Sequence, residues 1–258
     1  ITGYYCKMPS KHLEIALNVL TDMIKNPLFD EKELEKERKV ILEEIKMYKD
    51  NPQMHSLSEI QKLLYTGTLG MDLAGTSDTL SKIDRKKITE KFKTIYNPNN
   101  FILCVVGDAD FEQIIKFAEK NFSNENSVIS KQKFELKNQI KIEEREGVDQ
   151  ANLVFAYHVP IADNDKCYAT KILSSLMTRG ASSKLFQEIR EKRNLAYGIL
   201  GDTNINKNFA YNFIYVGTMK DAIPEVKKII LEELEKMQEM NEKELEEVKI
   251  QLIGLRKI

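Results

Sequence analysis

Residues 30–49 read DEKELEKERKVILEEIKMYK and predict a helix whose apolar face carries two glutamates. Asp30 is the predicted N-cap, with Glu33 three positions on, and the helix dipole favours the acidic residues of the first turn. At about 100° per residue, Glu37 and Glu44 fall on one line, inside an apolar arc. The apolar residues of this arc are Leu34, Val40, Ile41, Ile45 and Tyr48.

A carboxylate on a core-facing surface needs a partner. An ionised Glu there is costly unless a cation, a metal ion or several hydrogen-bond donors hold it. Two interpretations are open. Each carboxylate pairs with an arginine or lies at the edge of the apolar stripe, or both approach a bound cation. The helix by itself does not decide between them.

The composition describes a folded protein of nearly balanced charge. The 258 residues are 42% hydrophobic, which is enough for a sizeable core in one large or two modest domains. The formal net charge of −1 gives no reason to expect nucleic-acid binding. No stretch is apolar over the length of a membrane span, and no signal peptide is visible. The widely spaced Cys6, Cys104 and Cys167 predict reduced core cysteines in a cytoplasmic protein.

Strand-like and helical segments alternate along both halves of the chain. Apolar runs predict strands at 1–8, 101–106, 139–144, 151–159, 197–204 and 209–216. Helical spacing and capping signals predict helices at 11–25, 30–49, 54–65, 86–95, 111–121, 165–177, 182–193, 222–240 and 241–258.

This order predicts an α+β protein of two domains, each a mainly antiparallel sheet with helices packed on one face. The Ser-, Asn- and Lys-rich stretch at 126–137 lacks strong periodicity and is the predicted linker between domains at 1–125 and 138–258. The sequence begins inside a strand-like run and stops inside a helical run, so we expect both domains to be truncated.

Five blocks along the chain carry a family resemblance. They are TGYYCKM with HLEIALNVLTDMIKNPLF, EKERKVILEEIKMYKDNP, YNPNNFILCVVGD, QANLVFAYHVP, and SSKLFQEIREKRNLAYGI. In this order and with these gaps they resemble the pitrilysin/insulinase family of inverted-zincin metallopeptidases, in the branch that includes mitochondrial processing peptidase. The resemblance covers essentially the whole chain and implies the processing-peptidase metallohydrolase fold of two related domains.

The resemblance implies a zinc site to which this sequence contributes one ligand. In the family, an H-x-x-E-H helix supplies two ligands and the general base, and a Glu on a later helix is the third ligand. Through EKERKVILEEI, that third ligand corresponds to Glu44. Glu37 corresponds to the family's glutamate that supports the ligands without binding the metal.

The H-x-x-E-H motif itself is absent from this sequence. His12, His55 and His158 are isolated and are interpreted as structural or surface residues. The resemblance places the motif upstream of Ile1. One Zn²⁺ is therefore expected for each complete active site, and this polypeptide alone is expected neither to bind zinc tightly nor to cleave peptides.

A second pair of residues lies in the block IREKRNLAY. Arg190 and Tyr197 correspond to the family's arginine–tyrosine pair, which reaches from the second domain towards the zinc domain. Arg190 would lie near a helix end, Asn194 would end that helix in the left-handed conformation, and Tyr197 would begin the next strand. Such donors suit a peptide carbonyl and the oxyanion that forms when water attacks it. Together with Glu37, these two residues are the candidate catalytic residues.

The resemblance implies zinc-dependent hydrolysis of extended peptides, held along a sheet edge inside a two-half clamshell. Because one chain carries Glu44, Arg190 and Tyr197, a homodimer is favoured, and a second family subunit is the other possible partner. One alternative function is a non-catalytic family subunit that acts as scaffold or partner of an active zinc subunit. The other is a small-molecule α+β enzyme unrelated to proteolysis.

Overall fold

The computed structural model describes residues 2–122 and 133–254. These residues form two compact units, one comprising 2–43 and 74–122 and the other 44–73 and 133–254. Helices and an antiparallel sheet occur together, as expected for the α+β class. The predicted domain boundaries stay a prediction, since most of the linker assigned to 126–137 lies outside the described residues.

Helices account for most of the regular structure. In chain order they are α1 (Leu13–Lys25), α2 (Glu31–Asp50), α3 (Pro52–Ser58), α4 (Ile60–Leu64), α5 (Ser77–Ser81), α6 (Arg85–Ile95), α7 (Phe111–Asn121), α8 (Lys166–Thr178), α9 (Ile223–Lys236) and α10 (Glu242–Gly254). Short 3₁₀ turns cover Ser10–His12, Gly67–Gly70, Pro98–Asn100, Lys220–Ala222 and Met237–Glu239, and a π-helix covers Phe186–Glu191. The strands are β1 (Ala151–His158), β2 (Ala196–Ile205) and β3 (Ala210–Thr218).

Aromatic contacts organise the first unit. The ring of Phe92 on α6 stacks on Tyr96, with 4.3 Å between centroids, and meets Phe29 edge-on at 5.3 Å. Phe29 has a left-handed backbone with a φ of 46°, and its carbonyl accepts a 2.8 Å hydrogen bond from Nε of Arg85. These contacts lie at the turn between α1 and α2, immediately before the Asp30 cap.

The second unit is built on a three-stranded antiparallel sheet with β3 in the centre. Ile214 and Val216 of β3 belong to a buried cluster that includes Val226 and Ile230 of α9. A second cluster, made of Ile60, Leu64, Tyr65 and Tyr211, brings α4 to alternate residues of β3, which point to the opposite face of the sheet. The predicted strands at 151–159, 197–204 and 209–216 are confirmed as β1, β2 and β3.

Three other predicted strands are wrong for the residues that the structure describes. Residues 2–8, 101–106 and 139–144 have no strand assignment there. A strand needs a neighbouring backbone that completes its ladder of hydrogen bonds, and an apolar run does not supply one. In the third segment Ile140 and Ile142 are 89% and 85% exposed.

Two helical predictions also need correction. The helix expected at 54–65 is divided between α3 and α4 at Glu59, and the five-residue α5 was not predicted. The turn α5 is closed by a local capping box between Thr76 and Thr79. None of the described helices has both the length and the apolar character needed to cross a membrane.

Close packing of α8 on β2 gives a first testable prediction. A Cβ atom added to Gly201 would lie 2.6 Å from Oγ1 of Thr178 and 2.7 Å from the carbonyl oxygen of Phe213. Gly201→Ala is therefore expected to lower the free energy of unfolding in urea by about 1–3 kcal/mol, the usual cost of overpacking.

Gly198 in the same strand provides the matched control. An added Cβ there meets no atom within 4 Å, so Gly198→Ala is expected to leave the unfolding free energy unchanged or to raise it by up to about 1 kcal/mol. Equal stability of the two variants would contradict the close approach of α8 to β2.

Candidate functional site

The helix that carries the two glutamates begins as predicted. Oδ1 of Asp30 accepts hydrogen bonds from the backbone N–H groups of Lys32 and Glu33, at 2.9 and 3.2 Å. The cap satisfies donors of the first turn that have no partner within the helix. Asp30 is therefore confirmed as the N-cap of α2.

One side of α2 is partly covered, and it is not the side with the glutamates. The half-buried residues of this contact face are Leu34, Arg38, Ile41, Leu42 and Ile45. The guanidinium of Arg38 donates hydrogen bonds to the backbone carbonyls of Leu80 and Ile83. Long side chains of this kind cover apolar surface with their methylene stems while the charged end binds a polar group.

Glu37 and Glu44 lie on an exposed face of α2, about two helical turns apart. We call this face the acidic–apolar stripe, and its exposed residues are Glu37, Val40, Glu44, Met47 and Tyr48. Within residues 2–122 and 133–254, neither carboxylate has an ion-pair or hydrogen-bond partner. The prediction that something positive lies against these residues is therefore not met by any of the described residues.

A second helix, α10, begins with the same five residues as α2 and can be compared with it position by position. The sequence EKELE begins both α2 and α10, at Glu31 and Glu242. The position of α10 that corresponds to Glu37 is Val248, whose exposed fraction is 8%. The counterpart of Glu44 is residue 255, which lies outside the described residues. The position that holds a buried valine in α10 therefore holds an exposed carboxylate in α2. The helical periodicity of α2 alone does not show this difference.

Glu44 suits zinc as one ligand, but the chain as described does not complete a zinc site. Carboxylate oxygen is a normal zinc ligand, and a catalytic zinc needs about three protein ligands. Among the described residues, no group of three His, Cys, Asp or Glu side chains could hold a metal ion. Nε2 of His55 lies 3.1 Å from a carboxylate oxygen of Glu143, and Nε2 of His158 lies 3.0 Å from the carbonyl oxygen of Lys137.

Arg190 lies in an unusual stretch of helix. It belongs to the π-helix Phe186–Glu191. This geometry is rare in proteins overall, and where it occurs it is often at a functional site. Its guanidinium carbon lies 4.8 Å from the centroid of the Phe186 ring, a cation–π contact. The side chain is exposed, and in the described parts of the chain it has no carboxylate partner.

The turn between Arg190 and Tyr197 follows the sequence prediction. Asn194 has a left-handed φ of 53°, and the N–H of Leu195 donates to the carbonyl of Ile189 at 2.9 Å. This arrangement ends the helical segment in the way that Asn commonly permits. The strand β2 then begins at Ala196, so Tyr197 follows the start of the strand as expected.

Tyr197 occupies an irregularity at the start of β2. Ala196 pairs with Thr218 and Gly198 pairs with Gly217, which leaves Tyr197 as the extra residue of a bulge. Bulges redirect side chains and are common near active sites. The side chain of Tyr197 is 69% exposed. Both donors of the candidate pair therefore extend from irregular backbone into solvent.

Two family models match most of the chain. The family model described as Insulinase (Peptidase family M16) matches residues 1–77, and the one described as Peptidase M16 inactive domain matches residues 82–252. The chain belongs to peptidase family M16. Glu37 and Glu44 lie in the first match, and Arg190 and Tyr197 lie in the second. The predicted membership of the insulinase family is confirmed.

Curated M16 relatives are named as zinc proteases. An uncharacterized zinc protease of Rickettsia felis is 32% identical over 97% of this chain, and YmxG, an uncharacterized zinc protease of Bacillus subtilis, is 30% identical over 98%. These alignments cover 62% and 63% of the relatives, so this chain spans just under two thirds of their length.

Solved structures confirm the M16 fold. A protease from Helicobacter pylori superposes with a TM-score of 0.85 at 22% identity, covering 96% of this chain and 62% of the protease. A chain of Complex III2 from Candida albicans gives a TM-score of 0.84 at 14% identity, covering 97% of this chain and 64% of that one. At these identities the likeness concerns the fold alone.

Proposed function

We propose that this chain is part of a zinc-dependent metalloendopeptidase that hydrolyses extended peptides. The observation that carries the proposal is the acidic–apolar stripe of α2. It presents two carboxylates that have no partner among the described residues, within the match to the insulinase family and at a position where α10 has a buried valine. Because both carboxylates are exposed and have no partner among the described residues, they are available to a ligand or to another polypeptide.

The proposal assigns a role to each candidate residue. Glu44 is one ligand of Zn²⁺. Glu37 does not bind the metal and instead holds the metal-binding side chains in place. The remaining ligands and the general base come from polypeptide outside this sequence. Arg190 and Tyr197 donate hydrogen bonds to the carbonyl of the bound peptide. Both side chains are exposed, and no carboxylate among the described residues occupies the donors of Arg190.

The partner proposal follows from the same residues. Because the described chain holds both the acidic–apolar stripe with Glu44 and the pair Arg190 and Tyr197, a homodimer could supply two equivalent halves of a clamshell. A second family subunit is the alternative partner. The proposed substrate is an extended peptide or unfolded polypeptide, and the proposed location is the cytoplasm.

One observation is compatible with a second candidate function as well. The described residues do not complete a three-ligand site, as a non-catalytic subunit would also be expected to show. In that case the chain would act as the scaffold or partner of an active zinc subunit, and its two glutamates would bind no metal.

Metal content and peptide hydrolysis distinguish these two functions. The full-length protein encoded by the complete reading frame and the 258-residue chain are purified separately. Each is assayed for bound zinc and for cleavage of unstructured fluorogenic peptides. We expect stoichiometric zinc and chelator-sensitive cleavage for the full-length protein and neither for the 258-residue chain. A full-length protein without zinc and without cleavage would support the non-catalytic alternative.

A further inference from the structure

Two arginines at the end of the π-helix differ in what holds them. Nη1 of Arg193 donates to the backbone carbonyl of Glu188 at 2.8 Å and to its carboxylate at 2.7 Å. Lys192 also pairs with this carboxylate, and these two cations lower the pKa of Glu188 below its usual value. The charge of Arg193 is therefore compensated locally, and its guanidinium is already engaged.

Arg190 is held in a different way. Its guanidinium lies over the ring of Phe186, four positions earlier, and among the described residues no carboxylate competes for its donors. The neighbouring side chains of Leu185 and Ile189 are fully buried, so the backbone that carries Phe186 and Arg190 is anchored in the core of the second unit. A half-buried ring on this anchored backbone is a fixed support.

Stacking on a ring leaves the hydrogen-bonding capacity of an arginine intact. The guanidinium carries five N–H donors, and no hydrogen bond to another described residue occupies them while its carbon lies 4.8 Å from the ring centroid. An unsupported exposed arginine would lose rotamer freedom each time it bound a ligand. A ring beneath the cation restricts that freedom in advance, so less entropy is lost on binding.

We propose that Phe186 is a positioning residue that holds the Arg190 guanidinium ready for the carbonyl of a bound peptide, while Glu188 withdraws Arg193 from that role. This inference rests on the proposed peptidase function, to which it adds a support for Arg190. It also distinguishes two closely spaced arginines, since Arg193 already donates to Glu188 and Arg190 has no such partner among the described residues.

The first arm of the test measures the stack without any activity. The side-chain proton resonances of Arg190 are assigned in the 258-residue chain and compared with those of Phe186→Leu and Phe186→Tyr. We expect an upfield ring-current shift in the wild type, its loss with leucine and its retention with tyrosine. Phe155→Leu removes a ring that packs against the same core and is the matched control, which should leave these resonances in place.

The second arm measures kcat and KM for peptide cleavage by the full-length protein with bound zinc. We expect Phe186→Leu to lower kcat/KM by about 3- to 30-fold, the range that a cation–π contact supports, and Phe186→Tyr to restore it. Arg193→Met and Phe155→Leu should leave kcat/KM unchanged.

The outcomes separate this inference from the proposed function. Arg190 resonances that do not respond to Phe186→Leu would overturn the stack itself. A lost ring-current shift with unchanged cleavage, while Arg190→Met lowers cleavage, would overturn the positioning role and leave the peptidase function standing. If the full-length wild type cleaves no peptide, the proposed function fails, and the substrate-positioning role fails with it whatever the resonances show.

Discussion

Glu44→Gln in the full-length protein is expected to abolish stoichiometric zinc binding and to lower peptide cleavage by more than about 100-fold. Changing a group that only supports metal ligands already costs about 10- to 100-fold, so loss of a ligand should exceed that range. Glutamine retains nearly the same shape, but its neutral amide is a much weaker ligand than a carboxylate. Bound zinc is measured by elemental analysis and cleavage by steady-state kinetics.

The exposed position of Glu44 makes this result interpretable. Because the side chain has no partner in the described residues, its replacement is expected to change the unfolding free energy of the 258-residue chain by less than about 0.5 kcal/mol. Glu31→Gln is the matched control, since Glu31 is exposed on the same helix but lies outside the acidic–apolar stripe. Full zinc content in Glu44→Gln would show that Glu44 is not a ligand.

Glu37 should behave differently from Glu44 in the same assays. Because Glu37 is proposed to support the ligands, Glu37→Gln is expected to weaken zinc affinity or activity by about 10- to 100-fold. Zinc should still bind at saturating concentration. Equal and complete loss of zinc in both variants would mean that the two carboxylates have the same role, which the assignment of a single ligand on α2 does not allow.

Local rules predicted much of the candidate site. Capping chemistry identified Asp30, and the left-handed preference of asparagine identified the turn at Asn194. The residues on either side of that turn, Arg190 and Tyr197, then fell at a helix end and a strand start as expected. Each of these features depends on a few neighbouring residues, and a single sequence contains that information.

Features that depend on distant parts of the chain were not predictable. The apolar arc of α2 was correctly seen as amphipathic, but periodicity does not say which of its edges is covered. The contact face includes Arg38, which the arc left out, and excludes Val40, which it included. The bulge at Tyr197 likewise follows from how β2 aligns with β3, and no short motif encodes that alignment.

Tyr197→Phe is expected to lower kcat for peptide cleavage by about 10²- to 10³-fold while zinc content stays unchanged. Removing one hydrogen-bond donor to a developing oxyanion typically has an effect of this size. The loss should appear in kcat more than in KM, because the negative charge on the carbonyl oxygen develops only as the reaction proceeds. Arg190→Met is expected to act in the same direction.

The kinetic result has a structural control within the chain. Tyr168 on α8 is 62% exposed, close to the 69% of Tyr197, so Tyr168→Phe removes a comparable hydroxyl from a site with no proposed role. Both variants should unfold like the wild type in urea, since neither hydroxyl is buried. An unchanged kcat for Tyr197→Phe would remove the oxyanion role from this tyrosine, and Arg190 would then be the remaining candidate donor. A change in KM alone would instead assign Tyr197 to binding the peptide substrate. A contact that is equally strong in the substrate complex and in the transition state cannot raise kcat.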